Sequence, residues 1–265
     1  SGKTTTLYAA LHHVNSPETK IITAEDPVEY RLDRVNQVQV NPKIGLDFAT
    51  VLRTALRQDP DVVLVGEMRD RETVEMGMRA AMTGHLVFST LHTINAIATI
   101  HRLLDMGAAG FLIASALHGV LAQRLMRRIC SSCSAPAELT PQQRIWLEPH
   151  FRRATIDESA VFHSGTGCTY CNMTGYRGRI GIYELLEIDA GLADAIRRSD
   201  LTLFARLATK QRGFISLVDR ALGYAKAQVT TIEEVMRVTA GLEDRETDSG
   251  LLDDLEAQEQ LRESV

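Results

Sequence analysis

From the N-terminus to Thr90 the chain alternates between short apolar runs and longer segments with apolar positions three or four apart. Leu7-Tyr8-Ala9-Ala10-Leu11 directly follows Ser1–Thr6 and reads as a helix. The run Lys20–Ala24 ends in Glu25-Asp26-Pro27; Pro27 biases Asp26 away from helix, so a strand runs into a loop. Gln37-Val38-Gln39-Val40 alternates at period two and suits a second strand. Phe48, Val51, Leu52, Ala55 and Leu56 then recur at helical spacing. Val62-Val63-Leu64-Val65 is apolar without alternation, as in a sheet covered on both faces. A predicted helix over 71–82 leads through Thr83-Gly84 into a strand over 86–90. The strand–helix rhythm predicts an α/β fold with a mainly parallel sheet.

Beyond Asn95 the pattern changes. It predicts a helix over 96–106 and a long one over 111–128, then an irregular module from Cys130 to Cys171 with Pro136, Pro141, Pro149 and several glycines. A strand is predicted over 179–188, followed by mostly helical segments. Thr231-Ile232-Glu233-Glu234 reads as a capping box opening the last helix, which Gly241 ends. The resulting division is 1–128 as an α/β core, 129–178 as a tetracysteine module, 179–242 as a mostly helical part and 243–265 as a tail.

Charge separates the tail from the rest. Residues 243–265 hold nine acids and two bases, a net of −7, whereas the remaining 25 acids and 27 bases give +2. The tail is expected to be solvated and disordered, with Leu251, Leu252 and Leu255 suited to a short partner-binding helix. A nearly neutral body gives no basic face for nucleic acid, so no nucleic-acid partner is expected. No apolar stretch approaches the roughly 18 residues of a spanning helix, and nothing resembles a signal peptide, so the chain is expected to be cytoplasmic.

Gly2-Lys3-Thr4 at a helix start matches the second half of a phosphate-binding loop, G-x-x-x-x-G-K-[ST]. Helix-start amides and Lys3 suit phosphates, and the Thr4 hydroxyl suits Mg²⁺; Ser1 and Thr5 flank them. Such a site needs a carboxylate at the end of another strand to serve metal and water. Gly66-Glu67 after the run 62–65 fits, against the blander reading of a core strand ending in a surface glutamate. Glu25, Asp26 and Glu29 form a further acidic point, again just past a strand, and strand ends of an α/β sheet converge where ligands bind. His85 and His92 flank one strand, which suits sensing of a γ-phosphate; the other histidines read as structural. Cys130-x-x-Cys133 and Cys168-x-x-Cys171 supply four thiolates in two chelating pairs, as a tetrahedral structural zinc site needs; free thiols or a disulfide are the alternatives.

Taken in order, Ser1–Thr6, Ile22–Glu29, Arg57–Asp61, Val65–Asp70, Thr83-Gly84-His85 and Ser89–Thr93 resemble the Walker A remnant, aspartate box, Walker B and histidine box of the secretion ATPase superfamily. Thr93-Ile94-Asn95-Ala96 departs from the Thr-Asn-Asp-Ala common in that family. The resemblance implies a RecA-like P-loop core working as a homo-hexamer, with ATP, Mg²⁺ and Zn²⁺ bound. It also implies an inner-membrane platform protein as partner and a cytoplasmic location peripheral to that membrane. By the same resemblance Ser1, Gly2, Lys3, Thr4 and Thr5 bind nucleotide, Glu67 serves metal and water, and Glu25 is the candidate general base, the two glutamates sharing or exchanging roles. His85 and His92 report nucleotide state. Cys168–Glu184 resembles the metal-binding module of extension and export members, which retraction members lack. Lacking the first glycine of the phosphate loop and the strand that feeds it, residues 1–265 alone are expected to bind nucleotide weakly; lacking the arginine fingers expected in an upstream domain, they are expected not to turn it over. Two rival readings are a non-catalytic oligomerisation and zinc module and a DNA-translocating RecA-like motor.

Overall fold

The computed structural model describes residues 2–152, 156–157 and 159–242; the acidic segment 243–265, read above as a disordered tail, lies outside the described residues. In chain order the elements begin with α1 (Lys3–Val14), β1 (Ile21–Glu25), β2 (Val35–Gln39), α2 (Phe48–Ala55), β3 (Val62–Val65), α3 (Arg71–Met82), β4 (Leu86–Ser89), α4 (Ile97–Asp105) and α5 (Gly110–Ala116). Then follow β5 (Gly119–Ile129), β6 (Ser134–Pro136), α6 (Pro141–Arg152), β7 (His163–Gly165) and β8 (Tyr176–Glu187). The last four are α7 (Ala190–Arg197), α8 (Leu201–Lys210), α9 (Leu217–Lys226) and α10 (Ile232–Thr239). Two compact units interleave along the sequence: one takes residues 2–121 and 185–211, the other 122–184 and the described residues from 212 onward.

In the first unit a parallel sheet has the order β2-β1-β3-β4. Ile21 lies opposite both Val35 and Val62, and Val65 lies opposite both Ala24 and Ser89. β1 and β3 are buried along their whole length, which accounts for the unbroken apolar run of Val62–Val65. Leu11, Ile21, Val62 and Leu64 form one core cluster, and Ala24, Val40 and Val51 another. Aspartates cap the helices that follow the strands: Asp47 accepts from Thr50 N and Asp70 from Thr73 N, each at 2.8 Å. α5 and α7 approach so closely that a Cβ on Gly110 would lie 2.5 Å from Ile196 O.

In the second unit Ser134–Pro136 pairs antiparallel with His163–Gly165, and α9 packs on α10. The predicted long helix over 111–128 is not formed. α5 stops at Ala116, Leu117 turns extended, and Gly119–Ile129 becomes a strand paired with β8. Leu, Ala, Gln, Arg and Met favour helix by a few tenths of a kcal/mol each, roughly, and pairing with an adjacent strand overrides that preference. The cysteine module is also more ordered than its prolines and glycines suggest, since it contains the helix α6. Thr231 caps α10 by accepting from Glu234 N at 3.0 Å, but the Glu234 carboxylate binds Arg127 and Arg237.

Candidate active site and metal centre

Because the sheet is parallel, its strands deliver their following residues to one edge. β1 ends in Glu25, β3 runs into Gly66-Glu67, and β4 runs into Thr90-Leu91-His92. A cavity of about 280 Å³ at that edge is lined by Lys3 and Thr4 from α1, by Glu25, Asp26 and Glu29, by Glu67 and Arg69, and by His92. Glu67 is placed by a tight crossing of backbones. Gly66 N donates to Ala24 O at 2.7 Å, and a Cβ on Gly66 would sit 3.1 Å from the same carbonyl. From the other side Thr90 Oγ1 donates to Gly66 O at 2.7 Å, and Met68 N donates to Thr90 O at 3.1 Å.

Glu25 is buried and its carboxylate is held by three donors. Oε2 accepts from the Tyr8 hydroxyl, while Oε1 accepts from Thr23 Oγ1 and from Gln37 Nε2 at 3.1 Å. Burial, together with the adjoining Glu25 carboxylate, pushes the Tyr8 phenol up to about 12, so it stays a donor. Glu67 is engaged differently: Arg69 Nη2 donates to Oε1, and His92 Nε2 lies 3.0 Å from Oε2. The Arg69 hydrogen bond holds the Glu67 carboxyl below the usual carboxylate range, against burial and with help from His92.

α1 opens at Gly2 in the left-handed region, φ 79°, and Gly2 gives it no side-chain cap. Such a helix start beside Lys3 and Thr4 suits an anionic group, which favours the positive end of the helix. Thr5 is exposed on α1, and Ser1 lies outside the described residues. His85 sits at the opposite end of β4 from His92 and outside the cavity, where its Nδ1 donates to Ala80 O at 2.9 Å.

Three residues of this arrangement were given no role in the sequence reading. Tyr8 passed as part of an apolar helical stripe and Gln37 as the polar half of a strand, whereas both hold Glu25. The available signal was Glu25 itself, since a carboxylate ending a fully buried strand needs donors. Arg69 stood within a motif, and its pairing with Glu67 became visible only in space.

The two cysteine pairs meet. All four Sγ atoms lie within 4.8 Å of one another, with Cys130–Cys168 at 3.9 Å, Cys133–Cys171 at 3.8 Å and Cys168–Cys171 at 3.7 Å. Four sulfurs at Zn–S ≈ 2.3 Å in a tetrahedron would be separated by about 3.8 Å, so the residues fit that ion, and these separations exclude disulfide bonds. The amides of Cys168 and Gly175 each donate to Cys171 Sγ at 3.3 Å. Although burial opposes it, these amides and the neighbouring thiols lower Cys171 to about 6; burial pushes Cys133 up to about 11. The halves join where Gly165 crosses Gly175, a Cβ on Gly165 falling 2.0 Å from Gly175 O. Gly175 O in turn accepts from Cys130 N at 2.9 Å.

The "Type II/IV secretion system protein" family model matches residues 1–237. The type II secretion system protein E of Pectobacterium carotovorum subsp. carotovorum is 48% identical over 240 residues, covering 90% of this chain and 46% of that protein. The type IV pilus assembly ATPase PilB of Myxococcus xanthus is 44% identical over 240 residues, covering 91% and 42%. The crystal structure of the pilus retraction motor PilT with bound ADP superposes with a TM-score of 0.66 at 31% identity, covering 92% of this chain and 60% of PilT. The chain thus has an α/β fold like that of PilT and spans about half the length of the curated relatives it matches. On this match across most of its length, the chain belongs to the type II/IV secretion system protein family.

Proposed function

We propose that this chain is the RecA-like motor portion of an ATPase that powers pilus or pseudopilus assembly or protein secretion. One observation carries the reading: Lys3 and Thr4, at an uncapped helix start, share a cavity with Glu25 and Glu67. The likeness to PilT, whose structure holds ADP, supports a nucleotide as the occupant. Lys3 and the first amides of α1 hold phosphate oxygens. Thr4 and Glu67 would hold Mg²⁺, which when bound neutralises phosphate charge. Glu25 takes the proton of the attacking water; its three donors leave one acceptor position, on Oε2, for that water. His92, paired with Glu67, reports the state of the site, whereas His85 lies at the far end of β4. The four cysteines hold one Zn²⁺, a cross-link with no open coordination position.

The whole protein is proposed to act as a homo-hexamer on an inner-membrane platform protein, at the cytoplasmic face. No described helix is long and apolar enough to cross a membrane. The deciding experiment uses the full-length protein. Glu67→Gln is expected to lower turnover by at least about 100-fold while ATP binding changes little, since the phosphates are held by other groups. Normal turnover in Glu67→Gln would overturn the role given to Glu67.

A further inference from the structure

Within the cysteine module, the segment Cys168–Gly175 turns outward. Asn172 and Met173 are consecutive non-glycine residues with positive φ, 52° and 62°, a conformation that asparagine tolerates but methionine rarely adopts. The restraint is local: Met173 N donates to Cys168 O at 2.9 Å, and Thr174 Oγ1 donates to Cys171 O at 2.6 Å. The result presents two large apolar side chains to solvent, Tyr170 at 55% and Met173 at 69% exposure. Beside them Arg177 stacks on the Tyr170 ring, its guanidinium carbon 3.5 Å from the centroid, and donates to Tyr170 O at 2.8 Å. Arg179, two positions along β8, and Arg128, on the paired strand β5, are also exposed. Among the described residues none of Arg128, Arg177 and Arg179 is paired with a carboxylate. An aromatic ring, a methionine and unpaired arginines in a backbone fixed by its own hydrogen bonds have the composition of a recognition surface.

We propose that this surface is the docking site for the chain's own acidic segment, residues 243–265. Three observations favour that occupant. The first is complementarity: the segment carries nine acids against two bases, with Leu251, Leu252 and Leu255 as apolar counterparts for Tyr170 and Met173. The second is reach. Tyr176, next to the outward turn, contacts Thr231 at 2.8 Å between hydroxyl oxygens, and α10 runs from there to Thr239. Eight helical residues advance the chain by roughly 12 Å, and an extended segment of this length spans up to about 75 Å. The third is that the family match ends at residue 237, so the acidic segment is a feature of this chain beyond the matched region. Tethering gives such a segment an effective concentration on the order of millimolar, which fills a weak site.

The test places p-benzoylphenylalanine at Leu252 of the full-length protein, irradiates it, and maps the products by mass spectrometry. Methionine is a favoured target of that probe, so the expected product joins residue 252 to Met173 or Tyr170 of the same chain. Its yield should fall at least fivefold between low salt and about 0.5 M salt, where charge attraction is screened beyond a few Å. Arg177→Gln with Arg179→Gln should produce a comparable loss at low salt, with metal content unchanged as the check on folding. The salt arm needs no variant and decides the matter if the double variant fails to fold. Cross-links to another part of the chain, cross-links only between isotopically distinguishable copies, or a yield indifferent to salt would each overturn the proposal.

Discussion

The Tyr8 hydroxyl donates to Glu25 Oε2, joining the helix that begins with Lys3 and Thr4 to the acid at the end of β1. Gln37 Nε2 bridges the pair, 3.2 Å from the Tyr8 oxygen and 3.1 Å from Glu25 Oε1, and the Tyr8 ring packs edge-on against Tyr30 at 4.7 Å. The acid proposed to receive a proton is therefore oriented by the element proposed to hold phosphate.

Tyr8→Phe keeps that ring packing and removes one donor. In the full-length protein the expected outcome is a kcat lower by about tenfold, the equivalent of one hydrogen bond of orientation, with KM for ATP changed less than about twofold. Steady-state kinetics decides: a raised KM with unchanged kcat would mean that Tyr8 shapes the binding site and does not position Glu25.

The sulfur separations of 3.7 to 3.9 Å predict one zinc per chain, measurable by elemental analysis of purified protein. Cys168→Ser removes a sulfur that adjoins both Cys130 and Cys171. Zinc should drop to background and Tm by roughly 5–10 °C, as for a loss of about 2–3 kcal/mol in a domain of this size. Metal content well below one per chain in the unaltered protein would remove the zinc proposal.

Glu234 gives a pH-dependent prediction. Its side chain is fully buried and receives Arg127 N and Nε at 2.8 Å and Arg237 Nε at 2.8 Å. Burial alone would raise its carboxyl, but Arg237 and Arg127 outweigh that effect and bring it down to about 2. A folded-state value below the unfolded one, about 4.3, stabilises the protein above that pH and ceases to do so as pH falls through the folded value. Glu234→Gln should cost on the order of 2 kcal/mol at neutral pH. Thermal unfolding of the two proteins should show a constant gap from pH 8 to about pH 5, closing between about pH 4 and pH 2. A gap unchanged at pH 2.5 would show that Glu234 acts through packing and not through charge.

Residues 1–90 declared their own architecture. The unbroken run Val62–Val65, the helical spacing of Phe48–Leu56, and the breaks at Asp26-Pro27, Pro60 and Gly84 specify parallel strands and crossover helices. These signals lie between neighbours in the chain, and burial of one face is enough to read them. The types of residue at the site were legible for the same reason, because Lys3, Thr4, Glu25, Glu67 and His92 each fall at an element boundary. What decided the rest was contact between residues far apart in sequence. Gly119–Ile129 has helix-favouring composition and is a strand, because β8 offers it backbone partners that no local pattern announces. His85 and His92 look equivalent along the chain, yet a strand separates its two ends, and only one of them reaches the cavity. The donors to Glu25 come from three different positions on α1, β1 and β2, so its engagement exists only once the sheet is assembled. Spacing could pair Cys130 with Cys133 and Cys168 with Cys171. Bringing the four sulfurs within 4.8 Å required the backbone crossing of Gly165 over Gly175, a close approach that only the folded chain determines.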